Sequence, residues 1–309
     1  MMDRIRQEKP KNMPQTSTRK HRVMKKNILP ILLALLASLA ASRTWAQEMN
    51  VASYNIRYKN SGDAGNLWDD RKQALTDLVK FHEFDIFGTQ EGLFEQLQDM
   101  QNRLAEFGYA GVGRDDGARK GEHAAIFYRK ARFALVRHGT FWLSPTDTEK
   151  PNKGWDAALP RICTWGVFRD KANGREFIFM NTHFDHVGVE ARRESAKLIL
   201  AKAGEFARDL PLILTGDFNV DETNEAYFTL AKSGVVEDAH ALAAIVYEPN
   251  SSFNGWGKSI RASGRIDHIF ITKAFRAVKY GVLTDTYKGR FPSDHFPVMA
   301  KLKWGDLPD

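Results

Sequence analysis

Apolar residues in this chain fall into short runs of strand length, separated by segments with a helical period. Runs at 49–58, 84–90, 123–129, 133–143, 161–169, 175–183, 211–217, 265–272, 275–284 and 295–303 are rich in Val, Ile, Phe and Tyr and predict strands. Asn173-Gly174, between two of these runs, predicts a hairpin turn. Over 67–82, Trp68, Arg71, Leu75, Leu78, Val79 and His82 recur at helical spacing. Over 190–207, Ala196, Ile199, Leu200, Ala203, Phe206 and Ala207 make an apolar stripe, and Arg192, Arg193, Lys197 and Lys202 make an opposite face that reads as solvated. Some strands pair locally while others are separated by helices. That mixture predicts an α/β fold with mixed sheets and not a strictly alternating Rossmann or barrel pattern. Two long polar loops, 112–122 and 144–160, join predicted strands, and such loops are where substrate selection sits. Residues 47–309 carry no internal repeat and no low-complexity linker, so they read as one domain.

The start of the chain has a different character. Lys25 and Lys26, an apolar stretch over 28–41, and Thr44-Trp45-Ala46 predict a secretory signal peptide cleaved after Ala46, with Met24 as the expected start. The apolar run is short for a membrane span, so no stable span is expected. The predicted destination is the periplasm or the medium. The leader dominates the charge. Setting residues 1–46 aside removes ten of 45 basic and two of 38 acidic residues, so the net charge moves from +7 to −1. A globally basic, nucleic-acid-seeking surface is therefore not supported, although a local basic groove is compatible with this balance. Cys163 is the sole cysteine, so the chain has no internal disulfide and its stability must come from core burial. Its strand-like neighbours mark it as a small buried hydrophobe. A monomer is expected.

Six polar motifs interrupt the apolar runs in order: SYNIR (53–57), TQE (89–91), NTHFDH (181–186), TGDFN (215–219), RIDH (265–268) and SDHFPV (293–298). Each follows or ends a predicted strand. Glu91 at a strand end can bind a hard cation through oxygen, and the Asn55 amide can orient a carboxylate or touch phosphate. His183 and Asp185 share a side of an extended run, and a protonated His183 could stabilise charge on a phosphoryl oxygen. Asp217 and Asn219 share a face if the strand persists, and Gly216 lets the backbone approach closely. His295 can pair with Asp294 beside it or with Asp267 of RIDH, and spacing leaves both open. Arg161 after Pro160 is a candidate phosphate fork. Arg114, Arg119, Lys120, His123 and Trp155 are further loop candidates for specificity, and Trp68, Trp155 and Trp256 are candidate stacking platforms. No G-x-S-x-G, P-loop or dinucleotide fingerprint competes, and the oxygen-rich set favours Mg²⁺ or Mn²⁺ over zinc.

These motifs in this order resemble the endonuclease/exonuclease/phosphatase family, the DNase-I-like superfamily, over nearly all of 47–304. The resemblance implies a four-layer sandwich: two mixed β-sheets packed face to face, with helices outside. It implies Mg²⁺- or Mn²⁺-dependent phosphoester cleavage by direct attack of water. By motif, Glu91 resembles the principal metal ligand, with Asn55 beside it and Asp294 completing the metal shell. His183 resembles the histidine that contacts the scissile phosphate, and Asn219 a phosphate contact. Asp217 resembles the residue that orients or deprotonates water. Asp267 resembles the acid paired with the last histidine, His295, which acts as base or phosphate stabiliser. The choice of base between Asp217 and His295 stays open. Arg57, Arg161, Asp185 and Trp155 are read as substrate contacts. Arg57 is a departure, because abasic-site nucleases carry an acid there. The substrate class expected first is a small or medium phosphoester. A scavenging nuclease acting on nucleic acid is the alternative, and a binding protein on the same fold the third reading.

Overall fold

Strand β1 (Glu48–Asn55) begins the described chain; the computed structural model describes residues 48–207 and 210–305, so the predicted leader lies outside them. There follow α1 (Trp68–Phe81), β2 (Ile86–Gln90), α2 (Phe94–Arg103), β3 (Phe107–Ala110), β4 (Ile126–Arg129), β5 (Phe133–Trp142), β6 (Ile162–Asp170) and β7 (Glu176–His183). The rest are α3 (Val189–Ala207), β8 (Leu212–Asp217), α4 (Glu225–Ala231), β9 (Glu237–Asp238), α5 (Ala239–Leu242), β10 (Ile245–Tyr247), β11 (Asp267–Ile271), β12 (Phe275–Val282) and β13 (Val298–Trp304). One sheet has seven strands in the order β10-β12-β13-β1-β2-β4-β3, and the other six in the order β5-β6-β7-β8-β11-β9. Both are mixed, with β1/β2, β10/β12 and β7/β8 parallel and the other pairs antiparallel.

The apolar runs make four layers. Phe177, Phe179, Ile213, Ile269 and Ile271 from the six-stranded sheet cluster with Met49, Val51, Ile86, Val298 and Leu302 from the seven-stranded sheet. Ile178, Met180, Leu212 and Leu214, on the other face of their sheet, pack with Ile199 and Ala203 of α3 and Leu230 of α4. Ala52, Tyr54, Phe87 and Phe127 pack with Leu75, Leu78 and Val79 of α1 and Leu97 and Met100 of α2. Successive residues of β7 thus enter different cores, so a strand covered on both faces reads as a continuous apolar run. The predicted turn at Asn173-Gly174 joins β6 to β7, with Gly174 at φ 76°.

Strand ends differ from the sequence pattern where the chain turns to chemistry. The run predicted from 295 starts pairing at Val298, and the run predicted from 265 starts at Asp267. Helices α2, α4 and α5 and the short strands β3, β9 and β10 add to the predicted elements; strands of two to four residues carry too little periodicity to be read. Among the described residues no helix is long and apolar enough to cross a membrane.

Candidate active site

All six motifs emerge at one edge of the sandwich because of strand direction. Parallel strands β1 and β2 end at Asn55 and Gln90, which are register partners, and parallel β7 and β8 end at His183 and Asp217, also partners. Antiparallel β11 starts at Asp267, opposite Asp217. Asn55 joins the two sheets: its Nδ2 donates to Glu91 Oε1 at 3.0 Å and to Asp217 Oδ2 at 2.9 Å, while its Oδ1 accepts from the Arg57 N–H at 3.0 Å. That orientation is fixed by its neighbours, since a flipped amide would face two carboxylates with an oxygen. Asn55 therefore organises the two carboxylates that flank it. Arg57, Glu91 and Asn219 have φ of 54°, 64° and 51°, a left-handed backbone that non-glycine residues adopt at a cost and that clusters at functional sites.

The open choice of partner for His295 is decided by distance: Nδ1 lies 2.8 Å from Asp267 Oδ2. Its Nε2 faces Asp217 Oδ2 at 3.7 Å, and His183 Nε2 faces the same oxygen at 3.5 Å. Burial opposes charge on His295, but Asp267, Asp217 and Asp294 outweigh it and raise its pKa to about 10. Burial, with Asp267, lifts Asp217 from 3.8 to about 7. Burial and the guanidinium groups of Arg161 and Arg114 push His183 well below the usual histidine range. That direction favours the neutral imidazole at His183 over the protonated form.

Arg57 is gripped by Asp63 at 2.9 and 3.0 Å and lies 3.8 Å from both Glu91 Oε2 and Asp294 Oδ2. The cleft, about 630 Å³, is lined by Arg57, Glu91, Arg161, His183, Asp217, Asn219, Asp294 and His295. Asn219 spends one amide hydrogen on the Phe184 carbonyl at 3.0 Å. Two predicted substrate contacts are elsewhere. Asp185 accepts from the backbone N–H groups of Ala158, Leu159, Val187 and Gly188 and from Arg161 Nε at 3.1 Å. It positions Arg161 and the 144–160 loop. The chain leaves strand geometry after His183, so two-residue alternation no longer places Asp185 on that side. Trp155 stands outside the cleft lining, as do Trp68, which donates to Asp99, and Trp256.

Sequence reasoning missed Glu122, which lines the cleft, is held by both Nη atoms of Arg114 at 2.7 and 3.1 Å, and lies 3.7 Å from His183 Nδ1. Its only sequence signal was an acid within a polar loop that also holds Arg114. It missed Tyr58, Leu159, Phe253 and Ile266 as lining residues too. Ile266 lies within RIDH but is apolar, and the other three lie outside the motifs.

The donor set fits a hard divalent cation. Asp217, Asp267 and His295 have donor atoms within 4.8 Å of one another and could hold a metal ion. Glu91 and Asp294 offer a second, all-oxygen pair. Burial lifts the Asp294 carboxyl, Glu91 adds to it, and His295 and Arg57 offset it only in part. Clustered carboxylates with uncompensated charge are what such an ion neutralises.

The model of the Endonuclease/Exonuclease/phosphatase family matches residues 52–295. The solved mannosyl-6-phosphatase of Bacteroides thetaiotaomicron is 48% identical, with a TM-score of 0.81 over 83% of this chain and 100% of that one. The CCR4-Not complex 3'-5'-exoribonuclease subunit Ccr4 of Mycosarcoma maydis is 25% identical over 88% of this chain and 53% of its own length. Nocturnin of Rattus norvegicus is 25% identical over 78% of this chain and 60% of its own length. The chain thus spans little more than half the length of these two curated relatives. From the match over residues 52–295 and the shared fold, the chain belongs to the endonuclease/exonuclease/phosphatase family.

Proposed function

We propose that this protein is an exported, divalent-metal-dependent phosphatase that releases phosphate from a sugar phosphate or a similarly small phosphoester. The observation that carries the reading is the convergence of His183 and the Asp267–His295 pair on one oxygen, Asp217 Oδ2, inside a bounded cleft. The likeness to a mannosyl-6-phosphatase along that protein's whole length supports a sugar phosphate. Mg²⁺ or Mn²⁺ is the expected cofactor, held by Glu91 and Asp294. We favour this pair over the Asp217, Asp267 and His295 group because Asp267 and His295 already bind one another at 2.8 Å and because a hard cation prefers oxygen. Such a cation supplies charge neutralisation at the phosphoryl oxygens.

The residues divide the remaining work. Asp217, lifted to about 7, accepts the proton of the attacking water near neutral pH. The water oxygen bonds to phosphorus as the bond from phosphorus to the ester oxygen breaks, and the departing oxygen takes a proton from solvent in the open cleft to leave as the alcohol. His295, raised to about 10, stays an imidazolium that offsets phosphoryl charge, with Asp267 fixing its ring. His183 and Asn219 contribute neutral donors.

The test is phosphate release from mannose 6-phosphate and p-nitrophenyl phosphate, with bis-p-nitrophenyl phosphate beside them, in Mg²⁺, Mn²⁺ and EDTA. Monoester hydrolysis is expected to need metal and to fall at least ~1,000-fold in Asp217→Ala. Undiminished turnover in that variant refutes the site. Names of the curated relatives favour a second reading, a secreted nuclease; diester or RNA cleavage with steep salt dependence, and no monoester turnover, would select it.

A further inference from the structure

The cleft has a floor and a rim. Asp217, His183 and His295 are buried at the floor, whereas His186, three residues beyond His183, is exposed and lines the same cleft, as does Leu159, 38% exposed. A phosphoryl group seated at the floor leaves the rest of the substrate toward the mouth, where this rim stands. The rim is held from both sides by one carboxylate. Asp185 accepts from the N–H groups of Ala158 and Leu159 at 3.1 and 3.3 Å, and from those of Val187 and Gly188 at 3.0 and 2.8 Å. Asp156, from the same loop as Leu159, accepts from the N–H groups of Glu190 at 3.2 Å and Ala191 at 2.7 Å in the first turn of α3. Arg161, buried, gives Nε to Asp185 at 3.1 Å, and its Nη2 meets His186 Nδ1 at 2.9 Å.

We infer that His186, oriented by Arg161, is a specificity residue: its Nε2–H donates to a hydroxyl of a polyhydroxy leaving group at the mouth of the cleft. A guanidinium carries hydrogens and no acceptor, so the 2.9 Å contact makes Nδ1 the acceptor. The neutral ring then carries its one proton on Nε2. Arg161 is buried and His186 exposed, so the ring edge away from Arg161 is the outward one.

The class of partner follows from the rim's chemistry. One fixed N–H donor suits a neutral oxygen acceptor, and Leu159 adds apolar surface of the kind that covers the C–H face of a sugar. A second phosphate fits less well, because the Arg161 charge is already matched by Asp185 at 3.1 Å. Arg161 acts through His186 and is a positioning residue. The choice of substrate rests on the phosphatase reading; the tautomer of His186 is a property of the protein alone.

Steady-state kinetics in Mg²⁺ compare mannose 6-phosphate with p-nitrophenyl phosphate, whose leaving group has no sugar hydroxyl. The ratio of their kcat/KM values should fall about 10-fold in His186→Ala, mostly through KM for the sugar phosphate, on the scale of one hydrogen bond. His186→Gln, whose amide N–H reaches the Nε2 position, should recover most of the ratio; His186→Asn, which reaches only the Nδ1 position, should not. Binding of mannose 6-phosphate in EDTA should weaken by a similar factor in His186→Ala. Long-range ¹H–¹⁵N spectra of ¹⁵N-histidine-labelled protein at pH 8, with His186 assigned by loss of its signals in His186→Gln, should show the Nε2–H tautomer. Arg161→Met, which leaves Asp185 its four backbone donors, should mix in the Nδ1–H form and lower the ratio as well. An Nδ1–H tautomer in the unmutated protein, or a ratio that His186→Ala leaves unchanged, overturns the inference and leaves the phosphatase reading standing. A tautomer unmoved in Arg161→Met overturns the positioning role. If neither ester is turned over but binding in EDTA weakens in His186→Ala and returns in His186→Gln, the phosphatase reading alone fails. Neither turnover nor binding overturns both.

Discussion

Asp217 accepts hydrogen bonds from Asn55 Nδ2 and the Asn219 N–H, yet burial and the neighbouring Asp267 still hold its carboxyl up near 7. Its folded pKa lies above the unfolded value of about 3.9. The fold therefore favours its neutral form, and the stability tied to that form is full below about pH 4 and lost as pH rises through about 7. In EDTA, urea denaturation should show the unmutated protein losing stability relative to Asp217→Asn between those limits; parallel curves for the two proteins contradict this. A divalent ion should reduce the difference by favouring the carboxylate. At this scale much was legible. Asn55, Glu91, His183, Asp217, Asp267, Asp294 and His295 were found by motif, because polar groups at the ends of apolar strands need a reason to be there. The Asp185 role was not legible, because it depends on where β7 stops and on four backbone N–H groups that converge on one carboxylate.

Helix α1 shows how an element serves the site from a distance. Arg71 recurs within its apolar stripe and is fully buried. Its Nη1 donates to the carbonyls of Ile56 at 2.6 Å and Pro292 at 3.0 Å, and its Nη2 to that of Arg57 at 2.7 Å. It thus staples the turn that carries Arg57 to the loop that carries Asp294. Arg71→Met keeps the stem but leaves those three carbonyls, and that of Asn66, which accepts from Nε at 3.1 Å, unmatched. We expect a loss of about 2–4 kcal/mol in urea denaturation, on the scale of hydrogen bonds to a buried charge, with kcat falling more than KM rises. A change within ~0.5 kcal/mol, the range of a neutral surface substitution, refutes the role. Periodicity placed Arg71 on the buried stripe; it could not show which carbonyls it meets, since Pro292 is 221 residues away.

For the whole molecule, the proposal of export rests on the leader pattern over residues 25–46, and the proposal of a small substrate on the charge left once that leader is set aside. Removing residues 1–46 takes the net charge from +7 to −1, which suits an exported enzyme that recognises phosphate locally and not a polyanion globally. N-terminal sequencing of the protein recovered from its producing cells should begin at Gln47; recovery with residues 24–46 attached refutes the cleavage proposal. The mixed α/β character was foreseeable from the apolar runs and two amphipathic helices, and the four-layer build from the family resemblance. The strand order was not, because β13 inserts between β12 and β1, and β11 beside β8, through long-range pairings that local pattern does not encode.

The sequence by itself determined the class of chemistry, the mixed α/β character and most of the charged inventory, because hydrophobic period and motif order are local properties. Only the tertiary structure decided how those residues are used. It paired His295 with Asp267, turned the Asn55 amide onto two carboxylates, buried His183 so that its pKa falls, and brought Glu122 and Arg161 beside it. Each of these depends on distance and burial between residues far apart in the chain. Hydrogen bonds and pKa shifts arise from such proximity, and a linear pattern does not carry it.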